Sequence, residues 1–236
     1  MRTQAIVPIK SFGTAKQRLA DVLATGSRRS LVQAMFSDVL ASLRRCDRVD
    51  AIAVVTADPI ADSIARSDRV PVLHDDAHAG QSAAVEIGIA DAIANGFDRV
   101  LLVPGDTPLL DHVEVDDLLE RTERERIDIA IVPDRHGAGT NALVLAPPDA
   151  MHPSFGEGSL ERHVAAAQES GRSHRIEAVP SLAPDVDTPE DLGVVWQMVD
   201  DARMRAQRTR GALRQLDRSG ARAALQGARA SRVLEV

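Results

Sequence analysis

Apolar positions along the chain fall into two alternating rhythms. Short, nearly continuous apolar runs, "QAIVPI" (4–9), "AIAVVT" (51–56), "VPVL" (70–73), "RVLLVPGD" (99–106), "DIAIVPD" (128–134), "NALVLA" (141–146) and "RIEAVP" (175–180), read as buried strands. Between them lie stretches with helical spacing. Residues 28–45 place Leu31, Val32, Met35, Phe36, Val39, Leu40 and Leu43 on one face. Helices are also predicted over 82–96, closed by Asn95-Gly96, over 113–123, over 159–170 with Ser159 as N-cap, and over 188–206 with Pro189 in its first turn.

Strands that alternate with helices and lack an in–out polar pattern predict an α/β fold. The expectation is a Rossmann-like, mostly parallel sheet with helices on both faces. Ligands of such sheets sit beyond the carboxyl ends of the strands. Lys10, Asp106, Asp134 and residues 137–140 fall there. No internal repeat is evident. Residues 1–206 are expected to form one domain. Residues 207–236, with weak periodicity at Leu213, Leu216 and Leu225, read as a fraying helix or a partly disordered Arg-rich extension.

Composition narrows the function. The 236 residues are 44% hydrophobic and 27% charged, as in a soluble globular protein, and no run approaches the length of a membrane span. The start "MRT" leads directly into a strand, without the pattern of a signal peptide. A lone cysteine, Cys46, cannot form an internal disulfide and reads as a spectator; a cytoplasmic location is expected. Aromatic content is 2% and tyrosine is absent, which argues against a stacking surface for nucleic acid. Residues 201–236 carry a net charge of +6, leaving −13 on the rest. An acidic body that binds an anion needs a local basic pocket or a metal ion.

The only two lysines are Lys10 and Lys16, both in "VPIKSFGTAKQRL" (7–19); the other 26 basic side chains are arginine. GC-rich coding explains why lysine is scarce, but not why both lysines share one loop. The small residues Ser11, Gly13 and Thr14, with Lys16 and Arg18, suit a phosphate. An ordinary turn with solvated cations is the competing reading, and no Walker A motif is present.

Four further stretches carry chemistry. In "LLVPGDTPLL" (101–110), Asp106 follows Gly105 at a strand end, where its carboxylate can ligate Mg²⁺ beside a triphosphate or simply cap a turn. "PDRHGAGTNALVL" (133–145) offers free amides and the Thr140 hydroxyl to a small anion, or is a Gly-rich hairpin. In "SFGEGSLERH" (154–163), Gly156 and Gly158 precede a helix N-terminus that attracts anions. His163 reads as packed or hydrogen-bonded rather than catalytic, and His152, His163 and His174 lack zinc-ligand spacing. In "APDVDTPEDL" (183–192), Asp185 and Asp187 face one side of an extended chain and could complete a metal site with Asp106, or merely precede a helix.

Taken in order, "VPIKSFGTAKQRL", "GDTPLL", "PDRHGAGTNAL", "FGEGSLERH" and "DVDTPEDL" resemble the 2-phospho-L-lactate and phosphoenolpyruvate guanylyltransferases (CofC/FbiD) of coenzyme F(420) biosynthesis. The resemblance spans roughly residues 4–195. It implies a nucleotide-diphospho-sugar-transferase or glycosyltransferase A-like fold. It also implies that Thr140, Gly156 and Ser159 bind the phosphoenolpyruvate-type acceptor, and that Asp106, Asp185 and Asp187 lie at a Mg²⁺ site. Pro8, Lys10, Lys16, Gly80, Ser82 and Gly105 would face the nucleotide. In "GQSAAVEIG" (80–88), Gln81-Ser82 replace the Leu-Asn common in related enzymes.

The implied reaction joins the acceptor phosphate to the α-phosphorus of GTP and releases pyrophosphate. Lys10, Lys16, Arg18 and Asp106 would be the catalytic groups. A downstream transferase accepting the guanosine diphosphate product is the implied partner, and a homodimer is compatible with the sequence. The alternatives are 2-phospho-L-lactate as acceptor, a molybdopterin- or sugar-type nucleotidyltransferase, and a non-catalytic nucleotide-binding module. The second would normally open with a Gly-Gly-x-x-x-Arg-x-Gly loop, which is absent here.

Overall fold

A computed structural model describes residues 1–13, 15–75, 80–201 and 205–218. Seven strands form one sheet: β1 (Thr3–Ile9), β2 (Ala51–Thr56), β3 (Val72–His74), β4 (Arg99–Leu102), β5 (Ile129–Pro133), β6 (Thr140–Leu145) and β7 (His174–Ile176). Their order is β3-β2-β1-β4-β6-β5-β7. β6 runs antiparallel to β4 and β5, and every other pairing is parallel. The expected mostly parallel α/β sheet is therefore present.

Side-chain alternation along the strands splits the core into two. Ala5, Val7, Val54, Leu101, Val103, Ala130 and Val144 point to one face. There they pack under α1 (Thr25–Leu43), α2 (Pro59–Ser67), α4 (His112–Glu125), α6 (Pro189–Asp201) and α7 (Gln207–Arg218). Ile6, Val55, Val100, Leu102, Ile129, Ile131 and Leu143 point to the other face, under α3 (Gln81–Ala94) and α5 (Ser159–Glu169). Both faces are covered, so the strands carry no polar stripe.

Several boundaries differ from expectation. The run 99–106, read as a strand leading into a turn, is β4 up to Leu102, with Val103 N–H still donating to Ile6 O at 3.1 Å before the chain turns away at Pro104. The strand over 175–180 shortens to the edge strand β7. The expected N-cap Ser159 is the first residue of α5, and Gly158 at φ 68° takes the cap position. α2 was not anticipated; Asp58 caps it, accepting the N–H groups of Ile60 and Ala61 at 2.8 and 3.1 Å.

α7 buries Thr209, Leu213 and Leu216. Its first turn is held by Asp38 of α1, whose carboxylate accepts the N–H groups of Arg208 and Thr209 at 3.1 and 2.7 Å. Burial raises the Asp38 pKa above the ordinary carboxylate value, against the pull of those N–H donors. The remainder of the Arg-rich segment, 219–236, lies outside the described residues. Cys46 is buried, and desolvation with nearby carboxylates pushes its thiol up to about 12, in keeping with a spectator. Among the described residues, no helix is long and apolar enough to cross a membrane.

Candidate functional site

The chain builds β1, β2 and β3 outward in one direction, then returns to set β4 on the other side of β1. The carboxyl ends of β1 and β4 thus flank the point where strand order reverses, where an open α/β sheet leaves a crevice. The loop after β1 and the turn after β4 meet in it. Gly105 allows their close approach: a Cβ there would lie 2.1 Å from Ile9 Cδ1 and 3.2 Å from Phe36 Cδ2. A side chain at 105 would push on the tip of Ile9 and the Phe36 ring, so the close approach favours a small residue there. Pro8 is buried within β1, while Lys10 and Arg18 are exposed on the loop.

Lys16 turns inward. Its backbone is left-handed at φ 56°, its side chain is 8% exposed, and its ammonium pairs with Asp106 and, at 2.7 Å, with Asp187. Burial works against its positive charge, but the two carboxylates outweigh that and raise its pKa well above the usual lysine value. The sequence pointed to Lys16 as a phosphate ligand and did not foresee this bridge. Thr14 lies outside the described residues.

Asp185 joins the same cluster. Among the described residues, oxygens of Asp106, Asp185 and Asp187 lie within 4.8 Å of one another. Burial, then repulsion from Asp106 and Asp187, lifts the Asp185 carboxyl to about 7, against opposition from Lys16 and Asn141. Three hard carboxylate oxygens at this separation fit Mg²⁺ or a similar oxygen-preferring cation.

Supporting residues hold the Asp185–Asp187 loop. Asn141 of β6 donates its amide to Leu182 O at 3.0 Å, Ala183 O at 2.9 Å and, at 3.5 Å, Asp185 Oδ1. Asp191 accepts the Asp187 N–H at 3.2 Å and the Thr188 N–H and hydroxyl at 2.8 Å each. Arg135 braces Asp191 from the β5 side. Although burial opposes it, hydrogen bonds from Thr188, Arg135 and His136 hold Asp191 down to about 2. Asp58 also secures the front loop, accepting the Phe12 N–H at 2.8 Å. Asp58, Asn141 and Asp191 were not singled out from sequence. The only signals for them were a cap before Pro59, an Asn beside the predicted Thr140, and the Thr-Pro-Glu-Asp helix start.

Across the crevice, antiparallel β6 brings its first residue, Thr140, to the same edge as the carboxyl ends of its neighbours. The six-residue connection from β5 is a hairpin folded over Asp134, which accepts the N–H groups of His136 and Ala138 at 3.1 and 3.0 Å. Ala138 O accepts the Leu160 N–H at 3.1 Å, tying this hairpin to the start of α5. Gly156 reaches φ 115°, a backbone conformation that disfavours side chains. Arg162 straps the 154–157 turn through Ser154 Oγ and the carbonyls of Ser154 and Glu157 at 3.0, 3.1 and 2.5 Å. Ser82 of α3 accepts the Phe155 N–H at 3.0 Å, and Gly80 occupies the α3 cap at φ 102°. Ser82, expected at the nucleotide, therefore also anchors the turn that carries Gly156.

A carboxylate cluster and a lysine at the switch point, faced by a hydroxyl and a glycine turn, define an α/β transferase of the nucleotidyltransferase type. A solved nucleotide-diphospho-sugar transferase-like protein from Desulfovibrio desulfuricans G20, described as putative, has the same fold: TM-score 0.74, 19% identity, 92% of this chain and 96% of that one. Residues 3–216 match the family described as "Guanylyl transferase CofC like", and the chain belongs to that family. A phosphoenolpyruvate guanylyltransferase from Conexibacter woesei is 49% identical over 220 residues, covering 93% of this chain and 98% of the relative. A 2-phospho-L-lactate guanylyltransferase from Methanothermobacter thermautotrophicus is 36% identical over 195 residues, covering 83% and 84%.

Proposed function

We propose that the protein transfers GMP from GTP to phosphoenolpyruvate, giving enolpyruvoyl-2-diphospho-5'-guanosine and pyrophosphate. The observation that carries this is the 49% identity to a phosphoenolpyruvate guanylyltransferase along nearly the whole of both chains. A phosphate oxygen of the acceptor attacks the α-phosphorus of GTP, and the bond from that phosphorus to the β-phosphate bridging oxygen breaks. The acceptor phosphate is already ionised, so no general base is needed, and catalysis rests on positioning and charge neutralisation.

Lys10 and Arg18 approach the triphosphate from solvent, and Lys16 follows charge from the α-phosphorus to the leaving pyrophosphate. Asp106, Asp185 and Asp187 would hold Mg²⁺, which would supply charge neutralisation at the transferring group. Thr140, the Gly156 amide and Ser159 take the acceptor. Gly80 and Ser82 lie on the nucleotide side. The product is an activated diphosphate ester, and a transferase of coenzyme F(420) biosynthesis would consume it in the cytoplasm.

The test mixes the protein with Mg²⁺, GTP and phosphoenolpyruvate, follows pyrophosphate, and identifies the product by mass. Turnover with 2-phospho-L-lactate alone would shift the assignment to the second acceptor, which the 36% identical relative favours. Pyrophosphate release with neither acceptor from folded protein would reject the proposal.

A further inference from the structure

His163 is fully buried on α5 and joins two segments assigned above to the acceptor. Its Nε2 lies 2.8 Å from the backbone nitrogen of Ser154, and its Nδ1 lies 2.9 Å from Thr140 Oγ1. The directions of these bonds follow from the groups themselves. A backbone N–H can only donate, so Nε2 must accept and carries no proton. In a neutral imidazole the proton then sits on Nδ1, and Nδ1–H donates to Thr140 Oγ1. A second ring proton would confront the Ser154 N–H. Burial, with Arg162 nearby, lowers the ring pKa to about 4, so the imidazole is neutral at physiological pH.

This fixes the polarity of Thr140. Its oxygen accepts from His163, so its own proton must be donated elsewhere. Thr140 is 7% exposed at the crevice edge, and among the described hydrogen bonds its hydroxyl has no partner but His163. The ring is also held edge-on by Phe155, with centroids 5.0 Å apart. One side chain therefore sets the Thr140 rotor and pins the turn that presents Gly156.

We propose that His163 is the positioning residue of the acceptor subsite, an Nδ1–H imidazole that makes Thr140 a hydrogen-bond donor toward the anionic acceptor. This rests on the acceptor reading given above. His163 touches neither reacting atom; it acts through Thr140.

Two substitutions separate its two bonds. The amide nitrogen of His163→Asn can stand where Nδ1 stands, keeping the donor to Thr140. The amide oxygen of His163→Gln can stand where Nε2 stands, keeping the acceptor for Ser154. The expected result for His163→Gln is an acceptor KM raised about tenfold or more with the GTP KM within about twofold, and His163→Asn recovers most of that loss. Thr140→Val should match His163→Gln, and the double variant should be no worse than either. Equal effects of Asn and Gln, parallel rises in both KM values, or additive losses would overturn the proposal.

The tautomer is read separately from the ¹⁵N shifts of His163 in the ligand-free wild type, which needs no activity and no variant to fold. A protonated Nε2 or an imidazolium at pH 7 would overturn the hydrogen-bond direction. An Nδ1–H tautomer in a protein that turns over neither acceptor would instead remove the acceptor reading, and the role of His163 with it.

Discussion

Lys16 Nζ and Asp187 Oδ1 lie 2.7 Å apart, joining residues separated by 171 positions in the chain. The same ammonium pairs with Asp106. A compact cation on a flexible stem can exchange these carboxylates for phosphate oxygens as nucleotide enters, whereas a planar guanidinium fork is held more rigidly by its geometry. Lys16→Arg is therefore expected to lower kcat/KM for GTP by roughly tenfold or more despite the conserved charge. Steady-state kinetics check this, and wild-type values would remove Lys16 from the triphosphate.

Asp106→Asn removes one oxygen of the carboxylate cluster and one partner of Lys16 while preserving volume. Turnover should fall by about 10²-fold or more, with an unchanged circular dichroism spectrum. Direct titration with Mg²⁺ and GTP should show weakened metal-dependent binding. Normal turnover would take Asp106 out of the metal site.

The metal-free protein should lose stability as pH rises through Asp185. Its folded pKa, about 7, exceeds the ordinary carboxylate value of 3.8. Between those values the native state binds more protons than the unfolded chain, so the slope of unfolding free energy with pH is negative. The contribution is fully present below about pH 4 and is lost by about pH 7, an effect of at most a few kcal/mol. Denaturant midpoints in chelator should differ between wild type and Asp185→Asn with that sign, and Mg²⁺ should offset the loss at neutral pH. A difference profile that is flat from pH 4 to 7 would refute it.

The last described helix is expected to support the fold. Asp38→Ala unties the α7 N-terminus at a cost of about 1 kcal/mol or somewhat more. Leu213→Ala, at a buried position, should cost about 2–5 kcal/mol. Thermal and denaturant unfolding measure both. Unchanged stability in Leu213→Ala would mean that α7 is detached in solution.

The sheet was legible because each strand is an apolar run with turn residues at its ends. The reversal of β6 was not, since all six of its residues are buried and it looks like its parallel neighbours. The Gly-rich hairpin reading of 133–145 held the clue to its direction. α2 was not read from the sequence although Ile60 and Ile64, at i, i+4 spacing beside Ala61 and Ala65, form an apolar stripe that packs against the core. The grouping of Asp106 with Asp185 and Asp187 was foreseen from carboxylate spacing and family resemblance. What spacing could not give was the partner of each polar group: Lys16 with Asp187, Asn141 with the 182–185 carbonyl loop, His163 with Thr140. Those pairs are set by tertiary folding across 23 to 171 residues.

The backward run of β6 has a consequence for how such enzymes diversify. Loops after β1 and β4 belong to one half of the sheet, and in the proposed assignment they serve the nucleotide. Thr140 and Asn141 arrive from the opposite direction, on a hairpin whose tip can change length or composition without disturbing the β1–β4 pairing. Arg135 and His136 on the same hairpin, however, hold Asp191, which in turn holds Asp187, so a change in the acceptor hairpin is passed on to the carboxylate cluster, and acceptor choice and phosphoryl transfer are tied to change together.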